Sequence, residues 1–352
     1  MSTTNPRYRL FRNSRSSPLA LSCIFWGLLS RLACADSAIT PMGFSEFKNP
    51  LSTVSHITAT QKFAQQQGVA LRVFGVESGP DVIASLKSRS PSAAQTGNLA
   101  LEPVAAMIAA GSDPVVLATV ITTSDHVKIV TFKSTGITDD PHTLKGKRIG
   151  VVLDTIGESY LDRILALAHL SRTDIVLVNS RPTEIRAALV RGDLDAGVLW
   201  EPFAPQAVRI YEQGRKSGTV KDRGDPVVLV NPNIFTTYLN VVTTKRYLTT
   251  ARPALVALLR AMLDAEHYIT TDRARARRLT EDWLGLQAGD LQDFFKTATF
   301  QVQLNVPALQ TELRPVLEHL KSRDPGALNP KDLSPYIDPS LLQEIDAGLV
   351  SP

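Results

Sequence analysis

From residue 39 onward, short runs of apolar and β-branched residues alternate with amphipathic stretches, and this alternation restricts the fold more than any other feature. The order is typical of α/β proteins, in which crossover helices connect the strands of parallel sheets. After about residue 245 we find no further strand pattern and predict helices only. The predicted strands span residues 71–76, 92–96, 115–122, 127–132, 148–153, 175–178, 196–199, 227–230 and 239–243.

Two of the intervening helices have typical first and last residues. One is predicted to begin at Ser159, whose hydroxyl can cap the first turn, with Leu161 and Leu165 on its buried face. The other begins at Pro182, because the first helical turn tolerates proline, and ends at Gly192, because glycine readily adopts the left-handed conformation of helix ends. Both follow predicted strands, so the sequence indicates βαβ units.

The net charge of +4 depends on the first 35 residues, which contain five arginines and no acidic residue. Without them the chain has 33 basic and 34 acidic side chains. General nucleic-acid binding needs a surplus of positive charge, which this remainder lacks. A basic stretch at residues 273–278 is interpreted as a solvated helix face that is partly paired with acidic neighbours. We therefore expect no nucleic-acid partner.

Residues 1–35 are predicted to be a cleaved signal peptide. Basic residues precede an apolar run at 18–29, and small residues flank Cys34 before a cleavage site at Asp36. The apolar run is shorter than the roughly 20 residues that span a bilayer as a helix. An uncleaved signal anchor is one alternative, because Arg31 lies close to the cleavage site. A lipoprotein acylated at Cys34 is another, although Arg31 stands where such signals have an apolar residue.

Both cysteines, Cys23 and Cys34, lie within this leader. The exported chain would therefore contain no thiol, which excludes disulfides, thiolate metal sites and a cysteine nucleophile. The six histidines show no spacing typical of a metal site. We expect no metal and no cofactor, and we find no other apolar stretch long enough to cross a membrane.

Several short motifs occur in a fixed order along the chain. They are SAAQTGN at 92–98, LKGKRIGV at 144–151, DTIGES at 154–159, NSRPTE at 179–184, ALVRGDLDA at 188–196 and LWEPF at 199–203. In this order the motifs resemble periplasmic solute-binding proteins of the sulfonate, taurine and nitrate group, which also includes thiamine-pyrimidine binders. The resemblance extends from about residue 68 to residue 320.

The resemblance implies a type II periplasmic-binding-protein fold of the α/β class, with two lobes of mixed, mainly parallel sheets joined by a two-segment hinge. One discontinuous lobe would comprise residues 36–125 and 243–352, and the other would comprise residues 126–242. The hinge would lie near residues 127–135 and 238–244. A solute that touches both lobes would then favour the closed arrangement over the open one.

The resemblance also implies a function. We expect an exported, monomeric protein that captures a small anionic or zwitterionic organic solute, such as an aliphatic sulfonate or taurine, and passes it to the permease of an ABC transporter in the inner membrane. One alternative is an enzyme of the same fold, either a pyrimidine synthase or an enzyme that converts small acids. A ligand-sensing subunit of a membrane receptor is another, since it would use the same closure.

Two turns lie where a strand is predicted to lead into a helix, at residues 77–81 and 154–159. In open α/β sheets ligands bind at this edge, and the free N–H groups of a helix start attract anions. Each turn also fits the simpler interpretation of a capped helix start. The predicted ligand-binding residues are Ser45, Ser78, Gly79, Thr96, Gly97, Asn98, Asp154, Thr155, Gly157, Glu158, Ser159, Trp200 and Glu201.

Trp200 and Glu201 follow a buried strand and are expected at its carboxyl edge. The indole would form a wall for an apolar or flat ligand body, or would pack in the core. Glu201 would accept a hydrogen bond from an ammonium or amidine group of the ligand, or would cap the helix that Pro202 begins. A ligand-facing Glu201 would favour a zwitterion such as taurine.

The first turn of the chain, residues 42–50, departs from the family pattern and is interpreted as a long loop. Its residues Phe44 and Phe47 are further candidates to reach the cleft. Of the histidines, His56 and His126 are the ones expected to approach it.

Overall fold

The computed structural model describes residues 39–88, 90, 92–234 and 236–351, so the predicted signal peptide lies outside the described residues. Within these ranges the strands form two sheets. In chain order the strands are β1 (Thr40–Phe47), β2 (Val69–Val76), β3 (Thr96–Leu99), β4 (Pro114–Thr123), β5 (Val127–Phe132), β6 (Arg148–Val151), β7 (Val176–Asn179), β8 (Ala196–Trp200), β9 (Pro226–Leu229), β10 (Thr237–Thr244), β11 (Thr299–Asn305) and β12 (Val350–Ser351).

One sheet has seven strands in the order β12-β11-β4-β10-β3-β1-β2, and the other has five in the order β7-β6-β8-β5-β9. β1 is parallel to β2 and β3, and β6 is parallel to β7 and β8. β10 is antiparallel to β3 and β4, and β5 is antiparallel to β8 and β9. Both sheets are therefore mixed, as the resemblance implies, but they are not mainly parallel, because parallel and antiparallel strand pairs are equally numerous in each. Each sheet forms the centre of one lobe. We call these the larger and the smaller lobe.

The chain passes between the two sheets twice. It leaves β4 at Thr123 and enters β5 at Val127, and it returns from β9, which ends at Leu229, to β10, which begins at Thr237. The strands next to these two passages are the ones that pair antiparallel, because the chain re-enters a sheet in the opposite direction. β10 lies wholly in the larger sheet and extends across the proposed lobe boundary at residue 243.

Helices cover the faces of both sheets. The longest of them is bent at Ala251, whose φ of −129° is not helical, two residues before Pro253. The helices are α1 (Thr53–Thr60), α2 (Phe63–Gln66), α3 (Gly79–Lys87), α4 (Leu101–Ala109), α5 (Ile156–Leu167), α6 (Pro182–Arg191), α7 (Phe203–Ser217), α8 (Lys245–Thr271), α9 (Arg273–Leu284), α10 (Gln292–Thr297), α11 (Val306–Arg323) and α12 (Ser340–Ile345).

Two strands correct the sequence-based interpretation. β1 occupies most of the segment that we interpreted as a long loop. It is a central strand with both faces covered, so six consecutive residues are buried and no polar alternation marks it. β11 contradicts the prediction of helices only after residue 245. Its buried Phe300, Val302 and Leu304 alternate with more exposed residues, which is the period-two pattern of a half-buried strand.

The helix that was predicted to begin at Ser159 starts one turn earlier. Thr155 has an extended backbone, and its Oγ1 accepts a hydrogen bond from the N–H of Gly157 at 3.2 Å, so Thr155 is the cap. α6 begins at Pro182 as predicted, and Gly192 ends it with a φ of 94°. β3 also lies further along the chain than the predicted strand at 92–96.

Each lobe has its own hydrophobic core. The larger core includes Phe44 of β1 and the buried face of α8, and the smaller core includes Phe132, Tyr160 and Tyr211, none of which is more than 1% exposed. Ala100 lies just after β3 of the larger sheet but packs into the smaller core, so the two lobes meet at this residue. None of the helices in the described ranges is long and apolar enough to span a membrane.

Candidate functional site

A small cavity of about 20 Å³ lies where the two lobes meet. Its lining residues follow the carboxyl ends of β1, β2, β3, β4, β6 and β8, which is the edge where ligands bind in open α/β sheets. The lining residues are Phe47, Asn49, Ser78, Gly79, Ala100 and Pro103 from the larger lobe, His126 from the passage between the sheets, and Thr155, Ile156 and Trp200 from the smaller lobe.

Three helices begin at this cavity. Ser78, Ala100 and Thr155, which precede α3, α4 and α5, all line it. The first N–H groups of a helix have no partner within the helix, and its dipole adds positive potential at that end. Ala100 has no side-chain acceptor to offer the first amides of α4. The three helix starts together form a positive, amide-rich environment that favours an anion.

The starts of α3 and α4 lie in close contact. A Cβ atom added at Gly79 would be 2.4 Å from Cγ of Pro103, a distance that no real Cβ contact tolerates. Only glycine therefore allows the first turn of α3 to approach α4 this closely. Both residues line the cavity, so the close approach determines the spacing of two of the three helix starts.

Trp200 and His126 contribute polar atoms that have no partner. Trp200 is 4% exposed and its Nε1 forms no hydrogen bond to any described residue. His126 is 1% exposed, and both of its ring nitrogens also lack a partner there. Burial, and next the charge of Lys128, lower the pKa of His126 well below its ordinary value, so the ring is neutral at pH 7. An unpaired buried polar group costs about 1–3 kcal/mol, which a ligand can recover.

The hydroxyl groups at the cavity are engaged in local contacts. Ser78 Oγ donates to Asp81 Oδ2 at 2.9 Å, and Thr155 Oγ1 donates to the carbonyl oxygen of Val152 at 2.7 Å. Their protons therefore stabilise the helix starts. The donors that remain for a ligand are backbone N–H groups, the ring nitrogens of Trp200 and His126, and Nδ2 of Asn49, whose Oδ1 accepts from the N–H of Leu51.

Glu201 lies outside the cavity lining. Its Oε1 accepts a hydrogen bond from Lys128 Nζ at 2.6 Å, and the residue is 7% exposed. Burial raises the pKa of Glu201, and the positive charge of Lys128 opposes this effect. Neither sequence-based alternative describes the contact, because α7 begins after Pro202 without a side-chain cap. In this geometry the carboxylate is paired within the smaller lobe.

Four other predicted residues have contacts within the larger sheet. Asn98 Nδ2 donates to Ser52 Oγ at 3.2 Å and to Ser55 Oγ at 2.8 Å, which holds the short turn that follows Asn49. Thr96 Oγ1 donates to the carbonyl oxygen of Gly43. A Cβ at Gly97 would meet the backbone of Ser45 at 2.8 Å, and the buried Ser45 Oγ has no partner among the described residues.

Asp154 and Glu158 belong to a network that joins the lobes. Glu158 Oε1 accepts from Arg172 at 2.5 Å and from Arg323 at 2.6 Å, and its Oε2 accepts from the N–H of Asp154 at 2.5 Å. Arg323 ends α11 in the larger lobe, whereas Glu158 lies in α5 of the smaller lobe. In the network Glu158 therefore stabilises the contact between the lobes. A Cβ atom added at Gly157 would lie 3.4 Å from Cζ3 of Trp200.

Further ion pairs also cross between the lobes. Arg181 of the smaller lobe lies 3.3 Å from Asp81 and 3.8 Å from Glu77 of the larger lobe. Arg209 of α7 lies 3.4 Å from Asp290. We call these contacts and the Glu158 network the inter-lobe ion pairs.

Ser159 contacts another buried carboxyl group. Glu102 lies in the first turn of α4, is 7% exposed and forms a hydrogen bond with Ser159. Burial raises the pKa of Glu102 to about 7, although Arg163 and Ser159 lower it in part. The contact joins α4 of the larger lobe to α5 of the smaller lobe.

Four of the predicted ligand-binding residues therefore line the cavity: Ser78, Gly79, Thr155 and Trp200. Phe47 and His126, which we expected near the cleft, line it as well, whereas Phe44 is in the core and His56 stacks on Trp283 at 3.9 Å. Sequence reasoning missed Asn49, Ala100, Pro103 and Ile156. Three of these have apolar side chains, and their position just after a strand end was the signal that could have found them.

Solved structures with the same architecture include binding proteins. The alkanesulfonate-binding protein SsuA from Xanthomonas axonopodis pv. citri, bound to MOPS, superposes with a TM-score of 0.69 at 18% identity, over 86% of this chain and 99% of that one. The periplasmic nitrate-binding protein NrtA from Synechocystis PCC 6803 gives a TM-score of 0.67 at 13% identity, over 88% and 89% of the two chains. The chain thus has the fold of the periplasmic-binding-protein class.

Within this class, the chain belongs to the NMT1/THI5-like family, whose model matches residues 59–276. The taurine-binding periplasmic protein of Escherichia coli (strain K12) is 28% identical over 146 residues. That match spans 41% of this chain and 43% of the relative. The family prediction made from the motifs is therefore confirmed.

Proposed function

We propose that the protein is exported, captures a small anionic organic solute between its lobes and delivers it to the permease of an ABC transporter. The observation that carries the proposal is the convergence of three helix starts on one inter-lobe cavity that also contains unpaired nitrogen atoms of Trp200 and His126. Anions are the ligands that such an arrangement favours.

An aliphatic sulfonate is the ligand that we favour within this class. Its three oxygens can accept hydrogen bonds from several directions, which suits amides that come from three separate helices. The carbon chain of a sulfonate matches the apolar side chains of Phe47, Pro103 and Ile156. The Xanthomonas structure is named an alkanesulfonate-binding protein, which supports the same ligand class.

We propose that capture works by closure of lobes with the boundaries given above, 36–125 with 243–352 and 126–242. A ligand that contacts both lobes binds the closed form better and shifts the population toward it. A differential affinity of about 5.5 kcal/mol changes a 1:99 mixture to 99:1, and a few hydrogen bonds at about 1.5–3 kcal/mol each to a charged ligand can supply it. The permease would then recognise the closed form.

We propose no catalytic role. Thr155 donates to the carbonyl of Val152, and the Asp81 carboxylate that accepts from Ser78 is itself paired with Arg181, so neither hydroxyl has a free general base as its partner. His126 has no polar partner among the described residues that would orient it as a base.

Binding is tested by isothermal titration calorimetry of the purified protein with ethanesulfonate, butanesulfonate, butyrate and nitrate, with small-angle scattering of the same samples. We expect an organic anion to bind in the micromolar range or below and to reduce the radius of gyration. Absence of binding by every organic anion, or turnover of a bound one, would overturn the proposal.

Export is tested on its own. Mass spectrometry of protein recovered from a periplasmic fraction is expected to give a chain that begins at Asp36. Intact protein confined to the cytosolic fraction would contradict export without affecting the binding proposal.

A further inference from the structure

The cavity has an unusual charge distribution. Among the described residues that line it, none is lysine, arginine, aspartate or glutamate. Two acidic residues close in sequence to lining residues have partners: Asp81 is paired with Arg181 and accepts from Ser78, and Glu201 is paired with Lys128 through Oε1. The Oε2 atom of Glu201 has no partner among the described residues. The local field therefore comes from three helix starts, all of which present their positive ends.

Resting on the proposed function, we propose that the cavity selects oxyanions that carry no ammonium group, with Trp200 and His126 donating the side-chain hydrogen bonds to the anionic head. Aliphatic sulfonates or carboxylates without a cationic substituent would bind. Zwitterions of the same size, such as taurine, would be discriminated against.

The discrimination follows from the cost of placing a cation in this cavity. A buried ammonium needs a carboxylate or a set of free acceptors, and without them its desolvation is not compensated. Here it would also lie near the positive ends of three helices, which repel it. The charge of Glu201, the residue after Trp200, is already compensated by Lys128, which lies 2.6 Å from Oε1.

We assign Trp200 and His126 as the hydrogen-bond donors because their buried ring nitrogens have no partner among the described residues. An indole Nε1 can only donate, so its natural partner is an acceptor such as a sulfonate or carboxylate oxygen. A neutral imidazole has one N–H to donate and adds no charge of its own. The ring of His126 packs edge-on against Phe294 at 6.1 Å, which fixes its position beside the cavity. Both side chains are at least nine-tenths buried, so their hydrogen bonds to a ligand would be shielded from water.

The test of selectivity compares three sulfonates of nearly equal size by titration calorimetry at pH 7.5: ethanesulfonate, isethionate and taurine. Isethionate has a neutral hydroxyl where taurine has an ammonium. We expect isethionate and ethanesulfonate to bind at least 10-fold more tightly than taurine. If taurine binds as tightly as isethionate, the selectivity is overturned while the proposed function stands. If none of the three sulfonates binds, the result contradicts both the proposed capture of sulfonates and this inference.

The test of the donors uses His126→Phe and Trp200→Phe, which keep a ring and remove the nitrogens. Each is expected to weaken ethanesulfonate binding about 10- to 100-fold, the effect of losing one hydrogen bond to a charged ligand. His126→Phe is also expected to raise the unfolding temperature of the free protein, because it removes unpaired buried nitrogens. A purely structural role would instead lower both stability and affinity.

Two control variants have substitutions of a tryptophan and a histidine that do not line the cavity. Trp283→Phe alters an indole that stacks on His56, and His169→Asn alters an exposed ring whose φ of 53° suits asparagine. Both are expected to bind ethanesulfonate within twofold of the unmodified protein. If His126→Phe and Trp200→Phe also bind within twofold, the assignment of the donors is wrong.

Discussion

The cavity and the inter-lobe ion pairs differ in how far their polar groups are paired. Among the residues that the structure describes, none with a charged side chain lines the cavity, and the buried nitrogens of Trp200 and His126 have no partner. In the Glu158 network, by contrast, both carboxylate oxygens are occupied by an arginine or a backbone amide. The difference separates two tasks. The ion pairs hold the lobes together by contacts that are complete without a ligand, whereas the cavity keeps its hydrogen-bonding capacity for one.

Removing the centre of the ion-pair network should have the largest effect on stability. Glu158→Gln leaves Arg172 and Arg323 without their shared carboxylate, and we expect a loss of about 2–3 kcal/mol in the free energy of unfolding, below the range for fully buried pairs because both arginines are partly exposed. Urea denaturation measures it. Asp193→Asn, which breaks an exposed pair with Arg191, is the control and should cost at most about 1 kcal/mol. Equal losses would show that burial of Glu158 does not matter.

Gly79→Ala tests the close approach of two helix starts. The added methyl group would clash with the rigid ring of Pro103, so we expect a loss of about 1–3 kcal/mol in stability and weaker ligand binding. Gly75→Ala is the control, since a Cβ there has open space. Thermal unfolding and titration calorimetry of both variants decide the matter. Unchanged affinity in Gly79→Ala would mean that the spacing of α3 and α4 is not part of the site.

The contact between Glu102 and Ser159, which joins the lobes, can be tested through the pH dependence of the free energy of unfolding. Its pKa is about 7 in the folded protein and near 4.5 when unfolded, so the folded state retains the proton between these values. Stability should therefore fall as the pH rises from 4.5 to 7, by about 1–3 kcal/mol from this group. Glu102→Gln should remove this part of the dependence and be the more stable protein at pH 8. Glu318→Gln, on an exposed helix position, should follow the unmodified protein.

Ser45→Ala should have the smallest effect and separates a structural hydroxyl from a ligand contact. The hydroxyl is buried without a described partner, so its removal should change the unfolding free energy by less than about 1 kcal/mol or increase it. We expect unchanged affinity because Ser45 does not line the cavity. A clear loss of affinity on titration would restore the sequence-based assignment of Ser45 to the site. Ser55→Ala, which breaks hydrogen bonds to Glu46 and Asn98, should be destabilising by comparison.

Most of the α/β pattern could be predicted from the sequence because strand and helix periodicity are local properties. β5 was placed at its observed ends, and α6 begins and ends at the proline and glycine that mark it. β1 could not be recognised in the same way, because a central strand buried on both faces shows no alternation. β11 does alternate, so its omission was a failure of interpretation and not of the signal.

The site was predicted in outline and only partly in its residues. The rule that ligands bind after strand ends located Ser78, Gly79, Thr155 and Trp200 without any coordinates. The same rule does not say which neighbouring side chain turns toward the cavity. Asn98 therefore appeared equivalent to these residues, yet its amide is used to hold the turn at Ser52 and Ser55.

By itself the sequence determined the α/β class, the family and the strand ends that carry the site, since these depend on residue order and local periodicity. Only the tertiary structure decided that Lys128 takes the carboxylate of Glu201 and that Arg323, 165 residues along the chain, pairs with Glu158. Such pairings depend on distances between segments that are far apart in the chain, which no local pattern encodes. They determine which polar atoms remain free for a ligand.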